Sequence, residues 1–494
     1  MKFSKLTMAI AVALTASVSS SAFAIDLYVD TKTKQIYAEP AAGRELMGSF
    51  EKVGDHVPHK GERDFIDAAG IHQDLELKEN EIKALQEHIT EAEKVKVSMD
   101  TNGLQVRSAD NDFKFRFGGR IHADASYHSG DGYINRGTVP ATRVEANDGT
   151  EIRRARMRME GVFYKDWLFR TEADFADDKV AMKDVYIQYL GVPKFAIITV
   201  GQQKQNFSKE LQESSNDMMF TERSLMNVLN APTVDRAIGL NFEHFDKNWV
   251  AKLGIYGDSI TPNVNTDKAD EGWGISSRVT YAPILEKTKV VHLGIAGNYR
   301  TPADDGGVAK SKALAYSYES TNMSNYDPIN SSVANIKDIK MLGLEAAALY
   351  GPFSVSGEYT RTWIDRKNGS ANKNLTFDGW YVDAGWSITG ESRTYKNGNF
   401  MYLAPEKPFS ISKGQWGAWE LAARYSAVDV SNRGFNGGNM ANATAALNWY
   451  INKNFRFQAD YTRLLSVKDS QITTSTGGNP NNLDTFALRA QVAF

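Results

Sequence analysis

The sequence predicts an all-β protein, a transmembrane antiparallel β-barrel of about 16 strands with a short N-terminal helical coiled-coil segment. Three observations lead there. The chain opens on a secretory leader, an apolar/polar alternation of period two recurs in one phase from about Leu104 to the last residue, and the connections between repeats are either tight turns or long polar loops.

Composition narrows the classes. The chain carries Gly 39, Tyr 21, Phe 24 and Trp 9 with only 13 Pro, the usage of a large β structure. The absence of Cys excludes disulfide scaffolds, thiolate metal sites and cysteine nucleophiles. Beyond the leader no apolar run approaches the roughly 18 residues a membrane helix needs, so a spanning element must be a strand. Of 57 Lys and Arg, Lys2 and Lys5 belong to the leader, which leaves 55 against 60 acidic side chains and argues against a nucleic-acid partner.

The leader occupies 1–24: Lys2 and Lys5 form its positive end, Leu6 to Val18 its apolar core, and Ala22-Phe23-Ala24 its cleavage triplet. Residues 25–70 read as a hairpin, IDLYVDTKTKQIYAE turning near Thr31 to Lys34, and then a linker. Over 71–98, Ile71, Leu75, Lys78, Ile82, Leu85, Ile89 and Ala92 keep a heptad seam among charged faces. So narrow a stripe cannot bury itself, and a short parallel coiled coil of identical chains, a trimer, is expected.

The barrel is expected over 104–494, and EIRRARMRMEGVF, Glu151 to Phe163, shows its logic. Successive strand side chains point to opposite faces, so Ala155, Met157, Met159 and Phe163 share one face and Arg154, Arg156 and Arg158 the other. In a membrane barrel the first face meets hydrocarbon and the second a wet lumen. The same phase recurs where Trp380, Val382, Ala384 and Trp386 alternate with Tyr381 and Asp383, and in the closing FALRAQVAF, which would be an aggregation hazard as a soluble edge. Turns such as Asp246-Lys247-Asn248 are short. Ser129–Thr150, Lys204–Asp235, Ala303–Lys340, Glu391–Gly414 and Asp469–Asn482 are long and are expected together on the other rim.

Several stretches carry a family resemblance: FKFRFGGRIHADA from Phe113, EIRRARMRMEG from Glu151, ADFAD from Ala173, ITVGQQKQNFS from Ile198, FTERS from Phe220, RAIGL from Arg236, GAWELAARYS from Gly417 and ALNWYINKNFRFQADYTR from Ala446. In this order they resemble the phosphate-selective porin O/P family of Gram-negative outer membranes. The resemblance implies a 16-stranded trimeric porin, a long third loop folded into the lumen, and passive uptake of small anions such as phosphate. Two departures stand out. Asn206 replaces the family's usual Pro, which predicts a looser start to the third loop. Phosphate-specific members carry a cluster of loop lysines, where Asp258 to Gly272 has only Lys268.

Guanidinium groups offset an anion's lost hydration, and rings of Arg or Lys are the device of anion pores. The lumen cations expected to line the pore and bind anions are Arg116, Arg120, Arg154, Arg156, Arg158, Arg170, Lys252 and Arg278, joined by Arg223 of the loop, which resembles the arginine of the family's ERS motif. Glu160, Glu172, Asp174 and Glu345 share the inward phase, so part of this set is expected in wall-bracing ion pairs. No catalytic residue, metal site or cofactor is expected; outward serines lack the histidine setting of a barrel hydrolase. The alternative functions are a weakly selective diffusion porin and a structural tether whose coiled coil contacts the cell wall.

Overall fold

The computed structural model describes residues 25–31, 36–50, 75–87, 95–100, 103–130, 133–192, 196–260, 270–303, 313–318, 321–324, 326–432 and 434–494. The leader, the stretch holding Lys268 and part of the heptad seam lie outside them. The chain forms two compact units, Met1–Glu87 and His88–Phe494.

In the first unit Ile25–Asp30 pairs with Ile36–Tyr37, Tyr28 facing Tyr37. The segment read as linker adds a third strand, Arg44–Phe50, on the other edge. Residues 75–87 are helical, with Leu75, Ile82 and Leu85 more than half exposed.

The second unit is a closed barrel of 16 antiparallel strands. They are β1 (Lys114–Ser129), β2 (Gly149–Phe163), β3 (Trp167–Asp174), β4 (Ala181–Tyr189), β5 (Ile197–Lys204), β6 (Arg236–Phe245), β7 (Trp249–Tyr256) and β8 (Trp273–Leu285). The circuit continues through β9 (Lys289–Thr301), β10 (Ile336–Tyr350), β11 (Phe353–Arg366), β12 (Asn374–Ser387), β13 (Ala418–Asn432), β14 (Phe435–Tyr450), β15 (Phe455–Lys468) and β16 (Asp484–Ala493). β16 closes on β1 from Asp484 opposite Ser129 to Ala493 opposite Arg120. The terminal Phe494 completes the seam, exchanging backbone hydrogen bonds of 2.8 and 3.0 Å with Gly119. Closure removes the edge that so apolar a last strand would otherwise expose.

Below Gly119 a hairpin takes over from β16 as β1's neighbour. Val95–Asp100 pairs with Gly103–Ser108, which pairs with β1 from Leu104 opposite Phe117 to Arg107 opposite Lys114. Its turn requires glycine: Gly103 has φ +102°, and a Cβ there would stand 2.1 Å from the Phe117 carbonyl oxygen.

The alternation has the expected sense. Leu253, Ile255, Leu293, Ile295, Val382 and Leu488 are exposed on the outer face, while Arg278, Glu420 and Arg489 are buried inside. In bulk water such a belt would be a large unsatisfied apolar surface; in a bilayer it is the wall that lipid requires.

The rims correct one expectation. Tracing the strands puts 388–417, between β12 and β13, on the short-turn rim, although its length suggested the long-loop side. Length alone cannot assign a rim. This connection folds inward: Phe400 packs against Val290 and Leu349, and Arg393 clamps Glu420 with bonds of 2.8 and 2.7 Å. On the long-loop rim, 205–235 also turns inward. Its Phe207, Leu225 and Leu229 form a core with Tyr316 and Ile329 of the 302–335 connection and with Phe377 of the wall. Met218 and Phe220 of the same loop are buried too, Phe220 against Ala422 and Ala446.

Candidate functional site: a cationic pathway through the lumen

The third loop sets the geometry. It carries two short helices, α1 (Lys209–Gln212) and α2 (Asn227–Val234), and Ser208 caps the first by accepting from Leu211 N. It is pinned across the lumen at several points. Glu358 accepts from the backbone N–H groups of Lys209 (2.8 Å) and Glu210 (2.6 Å), and Asp460 from the N–H of Thr221 (2.7 Å). Glu222 reaches back to Arg153 (2.9 Å) and Arg489 (3.2 Å). Burial disfavours its charge, but the guanidinium groups of Arg153, Arg154 and Arg489 outweigh that and hold the Glu222 carboxyl well below the usual range. The looser start expected from Asn206 is not found. Asn206 is fully buried and donates to Asn241 Oδ1 at 2.6 Å, so a side-chain hydrogen bond replaces the rigidity of a proline.

Pinned in this way, the loop leaves space against β1–β7. Three abutting cavities run along that wall. The outer one, about 550 Å³, lies at the long-loop rim and includes Arg300, Pro302 and Leu314. It shares Lys183, Asp235 and Arg236 with a middle cavity of about 520 Å³. That in turn shares Arg120, Arg158, Glu172 and Ser214 with an inner one of about 240 Å³ at the short-turn rim. The middle cavity is lined by 11 cationic side chains and five carboxylates, an excess of six positive charges.

Many of these cations are matched. Arg120 pairs with Glu172 (3.1 Å), Arg156 with Asp174 (2.7 Å) and Glu172 (3.2 Å), Arg158 and Arg170 both with Glu160 (3.0 Å), Arg236 with Asp184 (2.7 Å) and Lys252 with Glu243 (2.9 Å). Four are not. Among the described residues Arg154 makes no carboxylate ion pair and lies 3.5 Å from His122 Nδ1, and the Lys183 ammonium has no partner there. Lys204 donates to the carbonyls of Leu211, Gln212 and Glu213 at 2.7–3.3 Å, and Arg223 to those of Glu210 (3.2 Å) and Glu213 (3.1 Å). Neutral acceptors orient a cation without cancelling its charge.

Of the nine expected pore-lining residues, seven line the middle cavity: Arg120, Arg154, Arg156, Arg158, Arg170, Arg223 and Lys252. Arg116 sits on β1 near the short-turn rim, half-buried and outside the three cavities. Arg278 faces the lumen but is only 1% exposed. Glu345 accepts from its Nε at 3.0 Å and the Gly398 carbonyl from its Nη2 at 2.9 Å, so the inward-folded 388–417 segment walls it off from solute.

Strict alternation misses Arg153. It assigns that residue to the lipid face, yet β2 bulges there: His122 faces Arg154 and Ala123 faces Ile152, which leaves Arg153 as the extra residue. Ile152 stays outward while Arg153 and Arg154 both turn in. The doublet of arginines inside an apolar-alternating strand was the available signal.

A closed wall of 16 strands, apolar outside and charged within, is that of an outer-membrane porin, a protein of the Gram-negative outer membrane. More narrowly, the chain belongs to the phosphate-selective porin O and P family, whose model matches residues 115–494. It is similar to Porin O of Pseudomonas aeruginosa, 25% identical over 429 residues, 79% of this chain and 91% of that protein. An uncharacterized protein of Caulobacter vibrioides is 28% identical over 369 residues, 72% of this chain and 69% of the relative. Among solved structures, an anion-selective porin from Comamonas acidovorans aligns with a TM-score of 0.47 at 12% identity, covering 77% of this chain and all of that one. OmpT of Vibrio cholerae aligns at 0.46 and 9% identity, covering 78% and 98%.

Proposed function

We propose that this porin passes small anions by diffusion along the β1–β7 side of its lumen, handing them between Lys183, Lys204, Arg223 and Arg154. One observation carries the reading: among the described residues these four cations make no carboxylate ion pair, and they meet in a single cavity. A guanidinium or ammonium so placed replaces part of an anion's hydration, and spreading the charge over several groups keeps each stop weak enough for release. Phosphate and related oxyanions suit the forked donors of Arg154 and Arg223. The test is ion flow through purified protein in planar bilayers under a potassium chloride gradient. A reversal potential favouring chloride, with inorganic phosphate reducing the current, supports the reading. Cation preference or an inert barrel would sink it, and the inert barrel would leave the tether to the cell wall standing.

The outer cavity favours a refinement toward organic oxyanions. Its cations, Lys183, Arg236 and Arg300, face Pro232, Ile260, Leu314 and Ala315, an apolar surface of no use to bare phosphate. Phenyl phosphate should block chloride current at lower concentration than inorganic phosphate does; equal potency returns the reading to simple oxyanions.

A homotrimer is part of the same proposal. The helical residues 75–87 keep Leu75, Ile82 and Leu85 exposed at heptad spacing, which supports helix pairing between copies. On the outer wall, Ala123, Ala125, Ala459 and Ala490 line a shallow groove beside Trp449, Phe457 and Leu488. Small side chains there let two barrel walls approach closely, as they do for packed membrane helices. Cross-linking of the protein in outer membranes should give a three-copy species, and a single-copy product would refute it.

A further inference from the structure

An uncommitted ionisable group lies at the inner end of the pathway. Asp217 of the third loop is 4% exposed and lines the inner cavity with Arg120, Arg158 and Arg456. Among the described residues its carboxylate has no ion pair and accepts one hydrogen bond, from the backbone N–H of Tyr402 at 3.1 Å, in the inward-folded 388–417 segment. The nearest cations are committed elsewhere. Arg393 donates to the Asp217 backbone carbonyl (3.2 Å) while both its other donors engage Glu420, and Arg456 donates to the Met218 carbonyl (2.8 Å) and Gln491 (2.7 Å). Glu213, itself 3.7 Å from the Lys209 ammonium, repels a second negative charge at Asp217. A carboxylate in this position is a fixed negative charge beside the exit of an otherwise cationic path.

We propose that Asp217 determines the anion preference of the inner exit through its protonation state, so that the channel favours anions more strongly when the periplasm is mildly acidic. Burial, with the Glu213 carboxylate adding to it, pushes the Asp217 carboxyl up to about 6. The sign follows. Above that pH Asp217 is charged and opposes anions at the exit; below it the group is neutral and the surrounding arginines act unopposed. Protonation leaves Asp217 able to accept from Tyr402, so the two inward segments stay joined.

The inference rests on the anion pathway proposed above, and one experiment separates the two. Reversal potentials in a potassium chloride gradient are measured between pH 7.5 and 5 with the full-length protein. The wild type should show its chloride-to-potassium permeability ratio rising about two- to three-fold with a midpoint near 6. Asp217→Asn should show the high ratio at every pH. Glu213→Gln, which removes the like charge, should move the wild-type midpoint downward. A wild-type ratio that prefers anions but does not change with pH overturns the inference and leaves the anion pathway standing; a ratio without anion preference at any pH overturns the pathway. A step that survives in assembled Asp217→Asn assigns the titration to another group. If Asp217→Asn does not assemble, the Glu213→Gln midpoint decides, and an unmoved midpoint refutes the proposal.

Discussion

Along β1–β7 the lumen wall borders open space, and its cations outnumber the carboxylates that could neutralise them. Along β8–β15 the same alternating strands meet the third loop and the 388–417 segment, and nearly every cation is spoken for. Arg278 is held by Glu345, Arg393 by Glu420 at 2.7 Å, and Arg424 pairs with Glu210 at 3.6 Å. Sequence phase is identical on the two sides. What separates a bracing arginine from a pore arginine is what the loops lay against it, a carboxylate in the one case and open cavity in the other.

The two sides should therefore fail differently. The largest effect is expected on the filled side. Arg278→Ala leaves Glu345 buried with only His292 beside it at 3.2 Å, and breaking a buried pair of this kind costs about 3–5 kcal/mol. Loss of heat resistance in detergent should follow, with little change in ion preference because the site is closed off from the pathway. A wild-type melting profile would show that the pair contributes no net stability. Next, Arg154→Glu combined with Arg223→Glu reverses two uncompensated charges on the open side. The chloride-to-potassium permeability ratio should fall about ten-fold or more while the barrel still forms, and an unchanged ratio would place the path elsewhere. Smaller again is the effect of replacing 392–413 by a short turn. This opens the filled side at the short-turn rim, so conductance should rise about two-fold with weaker selectivity. Unchanged conductance would mean that the third loop alone closes that half.

The contrast also explains what could be read in the chain. The barrel was legible because each wall residue answers to one local rule, lipid or lumen, and the period of two records that rule strand by strand. Closure at FALRAQVAF follows from the same reasoning. The phase could not say which lumen cations border the open cavity. Arg278 and Arg154 look alike in sequence and both are buried, but Glu345 and Gly398 engage Arg278 whereas Arg154 lines the middle cavity. Arg153 was hidden by one bulged residue. The 388–417 connection was misplaced because a loop's length carries no record of the rim from which it leaves; only the strand count before it does.

The smallest effect is the sharpest test of whether pairing, and not mere presence of charge, divides the two regions. Lys183 and Lys252 line the same cavity, but Lys252 bonds Glu243 at 2.9 Å and Lys183 has no partner among the described residues. Lys183→Gln removes one uncompensated charge, whereas Lys252→Gln with Glu243→Gln removes a neutral pair. At about 0.1 M salt the screening length is roughly 10 Å, so the first exchange should lower the chloride-to-potassium permeability ratio, by about two-fold, and the second should leave it unchanged. At about 1 M, where screening acts within roughly 3 Å, the Lys183 effect should nearly vanish. Reversal potentials at both salt concentrations decide the matter: equal losses from the two exchanges would mean that the matched and unmatched cations serve the solute alike.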